Sequence, residues 1–211
     1  MGRTPGTRNP DYEAKRDNLT RALLPQLVGS DGPRTFAALA RSAGVSVPTL
    51  KHYFGDRSGL IRACFRHAAR QGSAHLEEAA KPGALPPRES LLELCRSILH
   101  GWEEGLGRIH ETGLTLGLGA AELGRVYLSE ILEPTILVTE QRLLRHIARD
   151  ELRDFDPRVG ALALLSPLLL SLLHQRNLGG HETRPLDLDG YLETHVDGFL
   201  RGHVAASSTT R

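Results

Sequence analysis

The strongest constraint on this chain is a run of helix punctuation in its first third. From Thr35 to Leu60 it reads TFAALARSAGVSVPTLKHYFGDRSGL, two short helix-length segments separated only by Ala43-Gly44-Val45-Ser46. Gly44 can adopt the left-handed backbone that a sharp turn requires, and Val45 can fill the gap between the helices it joins. Thr35 is suited to cap a helix over Phe36 to Ser42, and Ser46 to cap the next one. Pro48 then falls in a first turn, where its missing N–H leaves no helical bond unmade. That helix is expected to end near Phe54, with Gly55-Asp56 leading into a longer helix from Arg57 or Ser58 toward Ala80. The pattern is that of a helix-turn-helix.

Helical spacing assigns tasks to the third helix. Val47, Leu50 and Phe54 share a face expected to pack against Phe36, Leu39 and the first helix. Pro48, Thr49, His52 and Tyr53 project the other way, with Lys51 on the flank. A short polar surface on a rigid helix suits a DNA major groove. There Thr49 can bond a base edge or touch a thymine methyl, and His52 can donate or accept. Tyr53 and Lys51 are better placed for phosphate.

Charge points the same way once it is divided. The formal net charge of the 211 residues is +1, which by itself suggests no polyanionic partner. Residues 1–70 carry 12 basic and 5 acidic side chains, however, and the remainder 14 and 20, so the two parts hold +7 and −6. The basic part is expected to meet nucleic acid, and the acidic part not to wrap it.

The rest reads as all-α. Residues 1–11 lack periodicity and are expected to form a mobile basic arm. Leu19, Leu23, Leu24, Leu27 and Val28 mark a first helix from Tyr12, kinked or displaced by Pro25 and stopped by GSDGP at 29–33. Residues 12–80 thus form a DNA-binding domain with a connecting helix, and 81–87 (KPGALPP) a linker. Residues 88–205 are expected to form a helical ligand-binding and dimerisation domain, ending in a frayed tail at 206–211. Within it Leu91 to Trp102, Tyr127 to Leu152, Pro157 to Gln175 and Leu188 to Val204 read as helices, whereas the glycine-rich Gly105 to Gly124 predicts short or irregular ones. The apolar stretch Ala161 to Leu173 falls short of the roughly 20 residues that cross a bilayer. No membrane partner is expected. Two cysteines and the lack of a secretory leader pattern fit a cytoplasmic location.

With these residues in view, the sequence resembles the TetR family of bacterial transcriptional regulators. The family pattern LA-x-x-AGVS-x-x-T-L-x-x-Y-F-x-x-[KR]-x-x-L is matched by Leu39, Ala40, Ala43 to Ser46, Thr49, Leu50, Tyr53, Phe54, Arg57 and Leu60. The resemblance implies phosphate anchors at Thr35 and Arg57. It gives a DNA-binding set of Thr35, Ser46, Pro48, Thr49, Lys51, His52, Tyr53 and Arg57, with Lys51 departing from the aromatic residue common at its position. It also implies a four-helix interface between two subunits. The apolar faces of the last two long helices offer Leu165, Leu169, Leu172, Tyr191, His195 and Phe199 for a twofold homodimer, whose recognition helices would sit about 34 Å apart or a multiple of that. A small-molecule effector site is expected near Trp102, His110, Glu111 and Tyr127, where glycines could leave room.

Enzyme readings fail on motif. Gly117-Leu118-Gly119 has neither a preceding strand nor the third small residue of a dinucleotide loop, and His110-Glu111 and His181-Glu182 lack the second histidine of a zinc motif. No G-x-S-x-G occurs. No cofactor and no metal site are expected. The reading is a ligand-responsive repressor on a palindromic double-stranded operator. The alternatives are an orphan or activating DNA-binding regulator, and a helical interaction protein.

Overall fold

The structure is a computed structural model that describes residues 10–28, 35–81 and 83–203, the side chains at 10 and 73–75 excepted. Residues 1–9 of the expected arm at 1–11, the stop at 29–33 and the tail at 206–211 lie outside them. Eleven α-helices and no strand occur among the described residues.

The first four helices form one body: α1 (Pro10–Leu27), α2 (Phe36–Ser42), α3 (Val47–Phe54) and α4 (Arg57–Ala79). The first helix begins inside the segment expected to be arm, and Pro25 falls in its last turn. Leu23, Leu39, Leu50, Phe54, Leu60 and Cys64 make the core of this body. Here the expected inward face of α3 is only partly right. Leu50 and Phe54 are buried, but Val47, the first residue of the helix, is 40% exposed.

Helix α4 carries two buried faces. Leu60, Ala63 and Cys64 enter the first core, while Ile61 and Phe65 join Leu123, Tyr127 and Ile131 in a cluster belonging to the second part of the chain. One rigid element therefore spans both parts. Its far end is fastened by α8 (Glu133–Ile147). The Arg142 guanidinium, 2% exposed, donates to the carbonyls of Ala79, Lys81 and Ser90, and Arg145 donates to that of Ala80. The carbonyls of Ala79, Ala80 and Lys81 are the otherwise orphaned ones at the C-terminus of α4 and just after it, and that of Ser90 lies in the first turn of α5. His146, fully buried, completes the site by bonding Ser90 and Glu151.

The second core is built by α5 (Pro87–Gly101), α8, α9 (Pro157–Leu172) and α11 (Leu188–Arg201). Between α5 and α8 lie a π-helical turn (Trp102–Leu106), α6 (Gly107–Gly119), α7 (Ala121–Tyr127) and a second π-helical turn (Leu128–Leu132). A third (Leu173–Asn177) follows α9, and α10 (Gly180–Thr183) precedes α11. The glycine-rich stretch is more regular than its composition predicts, since α6 is a continuous helix of 13 residues. Its glycines serve as sockets. A Cβ at Gly113 would overlap the Tyr127 ring, one at Gly107 the Trp102 indole, and Gly117 lies against Gly124.

Helix α9 with its π-helical turn runs for 21 residues and contains an 18-residue window of mean hydropathy 1.4, enough by length and composition to cross a bilayer, a test that core helices of soluble proteins also pass. The apolar stretch Ala161 to Leu173 lies within it. Leu164, Leu165, Leu168 and Leu172 face the second core, while Val159, Leu162 and Leu170 on the other side stay exposed.

Candidate nucleic-acid interface

The turn before α3 is fixed by backbone chemistry. Gly44 has φ 66°, its N–H donates to the Arg41 carbonyl, and the Val45 N–H donates to that of Ala40. This 6→1 and 5→2 pairing closes α2 and packs Val45 against the core that holds Leu39 and Ala40. Ser46 then restarts the chain, its hydroxyl accepting from the Thr49 N–H at 3.1 Å. The Ser46 and Thr49 hydroxyls also share one bond at 2.8 Å, so one of their two protons remains for a phosphate or a base edge.

Ser46, Val47, Pro48, Lys51 and His52 are exposed on α3, with Thr49 and Tyr53 half-buried. Thr35 caps α2 by accepting from the Ala38 N–H. Asp56 does the same for α4 through Gly59, leaving Arg57 as its first helical residue. The eight expected DNA-binding residues thus lie at the N-termini of three helices or along α3. Val47 lies exposed beside them at the start of α3. The sequence pattern misses this because it places every third or fourth apolar residue inward.

Two more residues escape the sequence reading. The Tyr12 hydroxyl donates to the carbonyls of His52 and Tyr53 at 3.3 and 3.4 Å, and Arg16 Nε donates to that of Tyr53 at 3.3 Å. Arg16 also lies over the Phe54 ring, and the Tyr12, His52 and Tyr53 rings meet edge-on or tilted. Helix α1 therefore holds the C-terminal end of α3 by side chains about 40 positions away in sequence. Local spacing carries no signal of this.

The electrostatics refine the +7. Arg62 and Arg66 pair with Glu122 and Glu130, and Arg70 lies 3.7 Å from Asp17. These α4 cations are compensated within the protein. Among the described residues no carboxylate pairs with Arg41, Lys51 or Arg57, and Arg57 Nε is buried without a partner. Uncompensated positive charge gathers around α3.

Of the expected effector residues, Trp102, His110 and Tyr127 come together. His110 stacks on Trp102 at 4.9 Å, and its Nδ1 meets the Tyr127 hydroxyl at 2.7 Å. Trp102 donates to Asn177, which in turn donates to Glu111. Burial pushes the His110 pKa down to about 4 and that of the Tyr127 phenol up. Of the six residues expected at a dimer interface, Leu165, Leu172 and Phe199 are buried in the protomer's own core. Leu169 and Tyr191 pack against that core, and His195 bonds the Leu164 carbonyl. Leu165, Leu172 and Phe199 thus belong to the protomer core, while Leu169, Tyr191 and His195 remain half-buried.

Fold and site together define a helix-turn-helix protein with a helical second domain. The solved structures it resembles include a Mesorhizobium loti protein described as a TetR-family transcriptional regulator, with a TM-score of 0.77 and 19% identity over 93% of this chain and all of that one. Another is the Bacillus subtilis transcriptional regulator FadR in complex with stearoyl-CoA, with a TM-score of 0.69 and 17% identity over 88% and 98% of the two chains. In sequence, 80 residues are 32% identical to the HTH-type transcriptional regulator BetI of Burkholderia ambifaria. That match covers 37% of this chain and 41% of the relative, so the chain spans less than half the length of the curated protein it matches. No family model matches. The chain has the fold of TetR-family transcriptional regulators, as its central motif led one to expect.

Proposed function

We propose that the protein is a sequence-specific, double-stranded DNA-binding transcriptional regulator, not an enzyme, acting as a twofold homodimer on a palindromic operator and released from it by a small molecule. The observation that carries this reading is the exposed N-terminal half of α3, capped by Ser46 and surrounded by unpaired Arg41, Lys51 and Arg57. Thr49 and His52 read bases, while Thr35, Lys51, Tyr53 and Arg57 hold phosphates. A single recognition helix covers few base pairs, so two copies are needed for specificity. The exposed apolar side of α9, with Val159, Leu162 and Leu170, supports a second copy of the chain there.

Release follows if an effector prefers the spacing of recognition helices that does not fit the operator. Helix α4 supports this coupling, because it enters both the first core and the cluster of Leu123, Tyr127 and Ile131 in the second part of the chain. Repression is the proposed sign of control, and the cytoplasm the proposed location. Selection of bound duplexes from a random pool, repeated with a cell metabolite extract, tests the reading. Palindromic winners, a log-log salt slope near −0.9 per neutralised phosphate and loss of duplex with extract are expected. A salt-independent or sequence-blind pool would refute it.

A further inference from the structure

A surface cleft of about 460 Å³ lies between α1 and α3, with Lys15, Asn18 and Leu19 on one wall and Val45, Thr49 and Tyr53 on the other. Lys15, Asn18 and Leu19 stand at i, i+3 and i+4, so helical spacing brings both polar side chains to the face of α1 that borders α3. Among the described residues no acidic side chain lines the cleft. Asp17 is turned toward Arg70, and Asp11 and Glu13 contribute nothing to the walls.

The polar groups of this cleft are unspent. Among the described residues the exposed Lys15 ammonium forms no ion pair, and the Tyr53 hydroxyl makes no hydrogen bond. The Asn18 side-chain oxygen accepts from Arg21 at 3.5 Å, which leaves the NH₂ group to donate elsewhere. On the opposite wall the Ser46 and Thr49 hydroxyls keep one proton between them for an outside acceptor. A cation and several donors thus line one cleft without an anion to meet them. Its walls are tied together, since Tyr12 and Arg16 of α1 bond the carbonyls of His52 and Tyr53 and so hold the backbone of Lys15 beside α3.

We propose that this cleft is a phosphate site: a backbone phosphodiester at the edge of the groove that α3 enters is held by Lys15 Nζ, with the Asn18 amide and the Tyr53 hydroxyl donating to the same anion or to its neighbour along the strand. The inference rests on the DNA-binding reading above and extends the DNA-facing surface onto α1. An α-helix with its side chains is about 10–12 Å across and the major groove of B-form DNA about 12 Å wide. A helix seated there meets phosphates along both flanks, and α1 forms one flank of α3. Such a contact carries charge but no base information. Lys15 and Asn18 therefore add affinity, salt dependence and orientation, and leave sequence preference to Thr49 and His52.

The test uses the full chain and two labelled duplexes, one of random sequence and one recovered by selection from a random pool. Salt titrations read by fluorescence polarisation compare the unaltered protein with Lys15→Gln, Lys15→Arg and Lys81→Gln, all at exposed positions. Lys15→Gln should weaken both duplexes by roughly fivefold to tenfold near 0.1 M salt and lower the log-log slope by about 0.9, with the preference for the selected sequence unchanged. Lys15→Arg should restore the slope. Lys81→Gln should leave it as it was, because α4, with 23 residues, sets Lys81 roughly 35 Å from α3 against a screening length of about 10 Å. Asn18→Asp, nearly isosteric and anionic, should weaken both duplexes at least as much as Lys15→Gln. Ethylation of single phosphates in the selected duplex locates the contact: at least one should matter to the unaltered protein and cease to matter to Lys15→Gln. A slope and affinity of Lys15→Gln equal to those of the unaltered protein, the same loss from Lys81→Gln, or an ethylation pattern that Lys15→Gln does not alter overturns the site and leaves the DNA reading standing. Inorganic phosphate bound without DNA, with duplex binding untouched by Lys15→Gln, also overturns it, by making the cleft a site for a free anion. An unaltered protein that binds neither duplex overturns both readings.

Discussion

At the scale of single residues, Gly59 decides how α3 meets α4. An alanine inside a helix normally stabilises it by about 1 kcal/mol relative to glycine. At Gly59 the sign should reverse, because a Cβ there would overlap the backbone carbonyl of Phe54, the last residue of α3. Gly59→Ala is expected to destabilise by about 2–3 kcal/mol, lowering the melting temperature by roughly 5–10 °C and weakening duplex binding; a rise in melting temperature would show that the two helices are free to part. His110 gives a second expectation. Its pKa in the folded chain is about 4 against an ordinary 6.5, because burial disfavours the imidazolium. The unfolded chain therefore binds the extra proton first, and stability present above pH 6.5 is lost as pH falls toward 4. From pH 7 to pH 5 this group alone should remove about 2 kcal/mol, read from denaturant midpoints. His110→Phe should flatten that part of the profile. The depressed pKa was not legible in the sequence, since it depends on Trp102 and Tyr127 closing over the ring from other helices.

At the scale of elements, the turn between α2 and α3 was almost wholly legible, because every instruction in it is local: Thr35, Gly44, Ser46 and Asp56 each act within a few residues of themselves. Helix α6 was not. Its glycines look like breakers until the rings of Trp102 and Tyr127, which fill the space they leave, are in place. The fastening of α4 was equally hidden, since Arg142 reads as an ordinary surface cation while its acceptors lie 52 to 63 positions earlier. Arg142→Leu should leave the Ala79 and Lys81 carbonyls without this donor and cost about 3 kcal/mol. Arg142→Lys should recover only part of the loss, because a single ammonium cannot span acceptors that a planar guanidinium reaches together. Denaturant midpoints of the two variants measure this, and equal stability of Arg142→Leu and the unaltered protein would count against the fastening. Arg145→Ala, which removes one bond at a more exposed position, should cost less.

At the scale of the whole molecule, the sequence separates +7 from −6, and the structure redraws that division. Arg62 and Arg66 spend their charge on Glu122 and Glu130, binding the two parts together, so the field offered to DNA comes from fewer residues near α3. The remaining apolar surface concerns assembly. Val159 and Leu170 are 62% and 66% exposed on one side of α9, whereas Leu164, Leu168 and Leu172 on the other side are fully buried. A charge placed at the outer positions should leave the protomer core untouched. The double variant Val159→Glu with Leu170→Glu is therefore expected to melt within about 1 kcal/mol of the unaltered protein, as surface changes usually do, yet to run as a monomer by light scattering. Its affinity for a palindromic duplex should fall by roughly 100-fold or more, since joining two half-site contacts in one dimer raises avidity by that order. Affinity for an isolated half-site should stay within about twofold, because α3 and its caps are unchanged. A dimer that survives both glutamates, or a palindrome bound as tightly as before, would place the subunit contact on another face.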